Sequence, residues 1–278
     1  MISASQTNYL YLADSLPKKY LDFYNRFTKV LSECEISFSL LPHTKDICAV
    51  DYMPIQIGDE DFIQFVYNPD YLQSKTWLQS ISDVDGICKA IDLEPEKSKI
   101  KLDGGNVVTT NTAVIMSNKV FKENLSFKQK DLINALKSLF KVENLFFVPV
   151  DPTDTIGHAD GMVRFIDDKT VLINKYSEVD IDIQLNLKMA LHNAGLDWIE
   201  IPYNPYHNKN NIQANGMYIN FLQMEKVVII PTFNIKDDEI AVKLFEEIFT
   251  HHEIRTIDSN DIANQGGVLN CITWNIKK

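Results

Sequence analysis

The feature that most constrains the fold of this chain is a repeat with a fixed spacing. Asp51, Asn106, Met162, Met217 and Cys271 begin successive repeats, and neighbouring members of this series are 54–56 residues apart. Each complete repeat contains two short segments rich in β-branched and aromatic residues, then an amphipathic helical pattern, then a third strand-like segment. A fixed period of this length predicts a stacked or closed array of strand–strand–helix–strand units.

The strand pairs of four repeats can be placed from their residue patterns. The predicted pairs are residues 52–57 with 62–67, 107–110 with 113–117, 162–166 with 170–174, and 217–223 with 226–230. The fifth repeat is incomplete, because residues 271–276 supply a single strand before the sequence ends.

The missing parts of the fifth repeat match the start of the chain. Residues 9–12 suit a partner strand, residues 16–34 a helix, and residues 36–40 a closing strand. We therefore predict that the two ends of the chain meet in one unit and close a ring of five. Such a ring is a single domain, and we expect it to cover residues 1–278.

Charge and hydropathy argue against several classes of function. The formal net charge is −11, whereas a nucleic-acid-binding protein needs clustered lysine and arginine to contact phosphates. No apolar run has the length of a membrane span, and residues 1–16 lack the basic start and apolar block of a signal peptide. We therefore expect a cytoplasmic protein without a nucleic-acid or membrane partner, and its acidity is compatible with a cationic small substrate.

Five reactive side chains lie where strand-like segments begin or end. Asp51 and Asp103 each border such a segment, His158 and Asp160 share a glycine-flanked loop, and Cys271 lies near the C-terminus. A thiol, an imidazole and carboxylates can provide a nucleophile, an acid or base and a binding site for a cation. The four cysteines include no C-x-x-C pair, so we expect no structural zinc site.

Short motifs spread over most of the chain are together typical of one known family. They are Asp46-Ile47, Asp51-Tyr52-Met53-Pro54-Ile55, Leu102-Asp103-Gly104-Gly105-Asn106, Gly157-His158-Ala159-Asp160-Gly161 with Arg164-Phe165, Tyr218-Ile219-Asn220-Phe221, and Gly266-Gly267 with Cys271-Ile272-Thr273. On these motifs the chain resembles the guanidino-group-modifying superfamily, and within it the agmatine deiminase and bacterial peptidylarginine deiminase branch. The resemblance implies an α/β fold, the five-bladed α/β-propeller of ββαβ units that is called the pentein fold.

The same resemblance implies a role for each reactive side chain. Asp51 and Asp160 would hold a guanidinium group, Cys271 would attack its central carbon, and His158 would act as general acid and base. Asp103 would support His158 or the substrate. Two carboxylates can pair bidentately with a planar guanidinium and orient its carbon for attack. Such chemistry requires neither a metal nor an organic cofactor.

Asn106, Gly267 and Asn270 complete the predicted substrate-binding set, and Asn106 is also expected to shape its loop. The chain departs from the family pattern at Cys48 and Val50, where Trp and Arg are common, and at Asn270, where His commonly precedes the nucleophile. None of these departures removes a reacting group. We therefore expect them to alter recognition of the far end of the substrate, and to leave the chemistry in place.

The leading hypothesis is a hydrolase that uses a covalent Cys thiouronium intermediate to convert agmatine into N-carbamoylputrescine and ammonia, a step of polyamine (putrescine) biosynthesis. Within the enzyme class, the alternatives are deimination of peptidylarginine or of another small guanidine, and transfer of the amidino group to an amine. A guanidine-binding pseudoenzyme is the alternative from another class. The presence of both Cys271 and His158 argues against it.

Three further expectations concern partners and surroundings of the site. The expected partner is a small cationic guanidine, and formation of a homodimer is left open. The polar loop at residues 204–211 is interpreted either as a lid or as a surface loop. For Arg164, a structural ion pair beneath the site is favoured over contact with a substrate carboxylate.

Overall fold

Five three-stranded sheets form the framework of the described residues. The computed structural model describes residues 1–152, 154–176, 181–203 and 213–278, apart from the side chains of residues 76 and 77. The strands are β1 (Tyr9–Ala13), β2 (Ser37–Leu41), β3 (Ile55–Gln56), β4 (Phe62–Val66), β5 (Glu96–Lys101), β6 (Val108–Thr109), β7 (Ala113–Ser117), β8 (Asn144–Val148), β9 (Val163–Phe165), β10 (Thr170–Asn174), β11 (Asp197–Ile201), β12 (Leu222–Gln223), β13 (Val227–Thr232), β14 (Glu253–Asp258) and β15 (Thr273–Ile276). The α-helices are α1 (Ser15–Lys19), α2 (Leu21–Glu33), α3 (Ala49–Tyr52), α4 (Lys75–Leu78), α5 (Val84–Ala90), α6 (Lys119–Glu123), α7 (Gln129–Phe140), α8 (Ile181–Asn193), α9 (Asp237–Ile248) and α10 (Asn260–Ala263).

All five sheets share one connectivity. The middle strand of each pairs antiparallel with one neighbour and parallel with the other, as in β3–β4–β5, where Ile63 of β4 pairs with Ile55 and with Glu96. A parallel pair needs a crossover connection, and helices supply it in every unit, for example α7 between β7 and β8. The chain therefore consists of ββαβ units, as the repeat predicts.

The two ends of the chain share one of these sheets. Strand β1 pairs antiparallel with β15, with Tyr9 opposite Ile276 and Leu12 opposite Thr273, and it pairs in parallel with β2. The prediction that residues 9–12 and 271–276 complete one unit is confirmed. The five-unit α/β architecture agrees with the predicted pentein class.

The crossover helices bury one apolar stripe each against the sheets. Helix α2 buries Phe23, Phe27 and Leu31, which are spaced four residues apart and therefore lie on one face. Helix α7 buries its apolar residues at the same spacing. Full burial of such a side chain stabilises the fold by about 1.5–3 kcal/mol. Every helix in the described ranges is too short or too polar to cross a bilayer.

Short helical turns precede the first strand of four units and determine where the site lies. Helix α3 precedes β3, and three 3-10 turns, Gly104–Asn106, Ala159–Gly161 and Tyr218–Asn220, precede β6, β9 and β12. Each turn contacts the turn of the next unit in this order, and α3 also contacts β15. Residues about one repeat apart in sequence are therefore neighbours in space.

These turns are also where two strand predictions are wrong. Residues 52–57 and 217–223 were expected to be extended, yet Tyr52 ends α3 and Tyr218 lies in a 3-10 turn, so only β3 and β12 are strands. Both tyrosines are fully buried, because the turn itself is packed inside the ring. The helix predicted at 16–34 is divided at Tyr20, whose φ of −138° and ψ of 60° are not helical.

Candidate active site

The reactive residues of the sequence lie in equivalent positions of neighbouring units. Asp51 belongs to α3, Asp103 immediately precedes the turn Gly104–Asn106, and His158 immediately precedes the turn Ala159–Gly161, which contains Asp160. Cys271 lies just before β15. Because the turns contact one another, the structure brings all five side chains together.

His158 lies between two carboxylates. Its Nε2 atom is 2.9 Å from Asp103 Oδ2, and its Nδ1 atom is 3.4 Å from Asp51 Oδ1. The residue is only 3% exposed. Burial acts to lower the pKa of His158, but the charges and hydrogen bonds of Asp51 and Asp103 outweigh it and raise that pKa well above its ordinary value. A raised pKa favours the imidazolium form, in which both ring nitrogens donate.

The thiol of Cys271 is buried beside a carboxylate and an amide. Its Sγ atom is 3.3 Å from Asn220 Nδ2 and 3.8 Å from Asp160 Oδ2. Burial, followed by the negative charges of Asp160 and Asp51, raises the pKa of Cys271 well above its ordinary value. These surroundings favour the protonated thiol.

Asp160 and Asp51 each use one carboxylate oxygen within the protein. Asp160 Oδ2 accepts hydrogen bonds from Asn270 Nδ2 at 2.7 Å and from Asn220 Nδ2 at 3.2 Å. Asp51 Oδ1 accepts one from the Gly105 backbone N–H at 3.1 Å. No residue in the described ranges donates a hydrogen bond to the other oxygen of either carboxylate. Both side chains therefore retain acceptor capacity for a ligand.

Two glycines are required by the close packing of the cluster. A Cβ atom on Gly105 would lie 2.5 Å from Asp51 Oδ1 and 2.7 Å from His158 Nδ1. A Cβ atom on Gly267 would lie 2.3 Å from the Cys271 sulfur. The predicted residue Gly267 thus borders the thiol directly, and only a residue without a side chain fits there.

The predicted residues Asn106 and Asn270 have different surroundings. Asn270 donates to Asp160 and so lies in the cluster. The Oδ1 atom of Asn106 instead accepts the backbone N–H groups of Ser117 at 2.8 Å and Ala159 at 3.1 Å. Asn106 therefore shapes the turn that follows His158, as its loop position suggests.

Within the described residues, Arg164 forms no contact ion pair, although burial raises the pKa of the nearby Asp160 carboxyl and the charge of Arg164 acts to lower it. No carboxylate of these residues lies within 4.0 Å of the Arg164 guanidinium, so the predicted ion pair is absent there. Its Nη1 atom donates to the Phe221 carbonyl at 3.1 Å, and the guanidinium stacks over the Phe221 ring at 4.7 Å. The nearby carboxylate of Asp160 instead accepts from two amide side chains, Asn220 and Asn270.

Sequence reasoning missed two residues of the cluster. Asn220 contacts both Cys271 and Asp160, and its place in the motif Tyr218-Ile219-Asn220-Phe221, to which no role was assigned, was the signal available. Lys119 lies 3.9 Å from Asp103 Oδ2 and belongs to no motif. The loop at 204–211, predicted as a lid or a surface loop, lies outside the described residues.

A cavity of about 320 Å³ reaches the cluster, and residues of β3, β6 and β9 line it. Its walls include Asp160, Asn270 and Arg164, whereas Cys271 and His158 do not line it. For the ranges that the structure describes, no group of three or more His, Cys, Asp and Glu side chains is arranged to hold a metal ion.

Fold and site together define a class of protein. Five ββαβ units surrounding a thiol, an imidazolium and carboxylates characterise the pentein hydrolases that act on C–N bonds of guanidino groups. The family model of the Porphyromonas-type peptidyl-arginine deiminases matches residues 10–276. The chain belongs to this family.

Individual relatives agree with this assignment. The agmatine deiminase of Pseudomonas aeruginosa (strain LESB58) is 23% identical over 212 residues, which cover 66% of this chain and 56% of that protein. The match therefore spans little more than half the length of this relative. The structure of C. jejuni agmatine deiminase superimposes with a TM-score of 0.82 at 24% identity, covering 100% of this chain and 95% of that chain.

A more distant structure shares the same fold. The DDAH of Pseudomonas aeruginosa, complexed with citrulline, superimposes with a TM-score of 0.61 at 10% identity and covers 98% of this chain and 100% of that chain. At such identities the structural likeness establishes the pentein fold. The choice of substrate has to be argued from the residues of the site.

Proposed function

We propose that the protein is a guanidine deiminase that converts agmatine into N-carbamoylputrescine and ammonia. The observation that carries this proposal is the cluster in which Cys271 Sγ lies 3.8 Å from Asp160 while His158 bridges Asp51 and Asp103. A nucleophile, a proton donor and carboxylates for a cation are thus present within one buried group. The printed names of two relatives, agmatine deiminases of P. aeruginosa and C. jejuni, support the choice of substrate.

Charge favours a cationic ligand in this cluster. Three carboxylates, those of Asp51, Asp103 and Asp160, surround a single imidazolium, that of His158. Lys119, 3.9 Å from Asp103 Oδ2, supplies a further positive charge. A guanidinium held by the remaining oxygens of Asp51 and Asp160 would reduce the excess of negative charge. Charge-assisted hydrogen bonds of this kind contribute about 1.5–3 kcal/mol each.

Binding of the guanidinium also activates the nucleophile. The added positive charge lowers the pKa of Cys271, which burial and the two carboxylates otherwise raise, so the thiol releases its proton to water next to the substrate carbon. The thiolate attacks that carbon and a C–S bond forms. His158 then donates a proton to one nitrogen, the C–N bond breaks, and ammonia leaves from a covalent thiouronium.

The second half of the reaction uses the neutral imidazole. His158 takes a proton from water, and the water oxygen attacks the thiouronium carbon. The C–S bond breaks, the hydroxyl proton of the adduct passes to the departing sulfur and regenerates the Cys271 thiol, and the carbonyl of the ureido product forms. Asp103 stabilises the charge that returns to His158, because its Oδ2 atom is 2.9 Å from Nε2.

The burial of the site favours a small substrate. Cys271 is 8% exposed, and the other four reactive residues are also buried, so the guanidinium must be enclosed completely. A free amine-tailed guanidine can enter such a site more readily than an arginine fixed in a protein chain. Peptidylarginine is the second candidate, because the matching family carries that name.

The test is a comparison of guanidines at equal concentration. Agmatine, free arginine and a peptide with an internal arginine are each assayed for ammonia and for the ureido product, with the Cys271→Ala protein as background. We expect turnover of agmatine to exceed that of both others by at least about tenfold, the discrimination that about 1.4 kcal/mol gives. Faster formation of peptidylcitrulline would transfer the assignment to the second candidate.

We also propose that residues 1–278 form a single catalytic domain and that the protein acts in the cytoplasm. The pairing of Tyr9 with Ile276 supports the first statement, because it joins both ends of the chain in one sheet. A single cooperative transition, with coincident midpoints by fluorescence and circular dichroism, is the expected result. Cell fractionation tests the second statement.

A further inference from the structure

Lys119 is a buried lysine at the outer edge of the cluster. Its side chain is only 6% exposed, and Nζ donates to the Ile156 carbonyl at 2.8 Å. Nζ also lies 3.0 Å from Asp70 Oδ1, 3.6 Å from Glu123 Oε1 and 3.9 Å from Asp103 Oδ2. Lysine is rarely buried to this extent unless carboxylates and carbonyls replace its hydration.

Lys119 shares a carboxylate oxygen with His158. Asp103 Oδ2 is 2.9 Å from His158 Nε2 and 3.9 Å from Lys119 Nζ. At 3.9 Å the ammonium acts on this carboxylate through its charge, because the distance is too long for a hydrogen bond. The ammonium also opposes the positive charge of the ring, because like charges that share a partner disfavour each other.

Lys119 also contacts Tyr71, the residue whose ring packs against the imidazole of His158. A 3-10 turn formed by Asp70–Leu72 carries Tyr71, whose ring centroid lies 4.6 Å from Lys119 Nζ. The same ring meets the His158 ring edge-on, with centroids 6.0 Å apart. Asp70, which anchors this turn to Lys119, is 67% exposed, so the anchor can be removed without disturbing buried packing.

We propose that Lys119 is a positioning residue of the deimination site, which opposes the positive charge of His158 beside Asp103 and holds the Asp70–Leu72 turn over the imidazole. This proposal rests on the proposed function. It assigns to Lys119 two separable effects. One acts on the protonation of His158 through charge, and the other acts on substrate affinity through Asp70 and Tyr71.

The first effect is tested by titrating His158 in the ligand-free protein. The ionisable groups that face this ring are Asp51, Asp103, Asp154, Asp160, Glu123, Tyr71 and Lys119. In Lys119→Met the only charge removed is the ammonium, so the NMR titration midpoint of His158 should rise by about one pH unit. Lys119→Arg keeps the charge and should restore the original midpoint.

A matched control separates these effects from general loss of a lysine. Lys97 pairs with Asp85 at 2.6 Å on the surface, and Lys97→Met should leave the His158 midpoint unchanged. The His158 signal is assigned from its disappearance in His158→Gln. Equal midpoints in Lys119→Met and Lys97→Met would overturn the proposal. The His158 titration needs no turnover. If no guanidine reacts, only the proposed function is overturned, and the titration still tests the role of Lys119.

The second effect is tested with Asp70→Asn, which releases the turn but leaves Lys119 and Asp103 in place. The KM for agmatine should rise by about 3- to 10-fold, as expected for loss of an exposed ion pair and its cation–ring contact, while the His158 midpoint stays constant. If Lys119→Met does not fold, the KM of Asp70→Asn tests the proposal. An unchanged KM in Asp70→Asn then overturns the proposal.

Discussion

The side-chain amide of Asn220 contacts Cys271 at both of its ends. Its Nδ2 atom lies 3.3 Å from the Cys271 sulfur, and its Oδ1 atom accepts the backbone N–H of Cys271 at 3.2 Å. A second backbone N–H, that of Val268, donates to the same oxygen at 3.0 Å. Asn220 therefore fixes the segment that carries the thiol and offers the sulfur a hydrogen-bond donor, which favours the thiolate.

We expect Asn220→Ala to lower kcat by about 10- to 100-fold, because a hydrogen bond to a charged group contributes about 1.5–3 kcal/mol. The pH at which Cys271 is half-alkylated by iodoacetamide should rise as well. Asn193→Ala, at an exposed position at the end of α8, is the control. An Asn220→Ala protein with normal kcat and an unchanged alkylation profile would show that the amide has no influence on the sulfur.

The pH dependence of stability should reveal the ion pairs of His158. Its pKa in the folded protein is raised above the unfolded value of about 6.5 by Asp51 and Asp103, against the effect of burial. The unfolding free energy contributed by this ring is therefore complete below pH ~6.5 and is lost as the pH rises through the folded pKa, at up to about 1.4 kcal/mol per pH unit.

The measurement is urea denaturation of the wild-type protein and of His158→Gln between pH 5 and 10. The difference in unfolding free energy should be largest at the acidic end and should decline above neutrality. His251→Gln, at an exposed histidine, should track the wild type throughout. A difference that grew with pH would mean that the ring is held as a neutral imidazole.

Gly105→Ala should lower kcat by at least about 100-fold with a smaller effect on folding, since about 1 Å of displacement in a catalytic group can have this effect. The added Cβ would lie 2.5 Å from Asp51 Oδ1 and 2.7 Å from His158 Nδ1, so the two side chains must separate. In Gly161→Ala, by contrast, the nearest atom is Met217 Sδ at 4.0 Å, and kcat should change little. Similar kcat values for both variants would argue against this contact being important.

Much of the fold could be predicted from the sequence because the repeat extends over the whole chain. It is recognisable even where the bounds of single strands are uncertain from sequence. The period placed Asp51, Asp103, His158, Asp160 and Cys271 near equivalent points of their units, and the pairing of Tyr9 with Ile276 followed from the incomplete fifth unit. Any ring built from such units brings equivalent points together, irrespective of exact strand boundaries.

What the sequence could not show depends on contacts between units. Tyr52 and Tyr218 have strand-forming side chains, yet tertiary packing places them in helical turns. The repeat gives no reason to place Lys119 next to Asp103 or Asp70. The packing of α6 beside the cluster brings these residues together. Arg164 was expected to form an ion pair, but the packing between units directs its guanidinium to the carbonyl and the ring of Phe221.

The covalent step makes the sharpest prediction about Cys271. Because the carboxylates of Asp51 and Asp160 remain, Cys271→Ala should bind agmatine with nearly wild-type affinity in calorimetry while kcat falls by at least about 10⁴-fold. Wild-type protein quenched with acid during turnover should gain the mass of the substrate less ammonia, located on the peptide containing Cys271. Cys48 is a second, half-buried thiol close to the same carboxylates. Cys34 is a half-buried thiol elsewhere, so Cys34→Ala is the control with normal turnover. An adduct on Cys48, or full activity in Cys271→Ala, would contradict the assignment of the nucleophile.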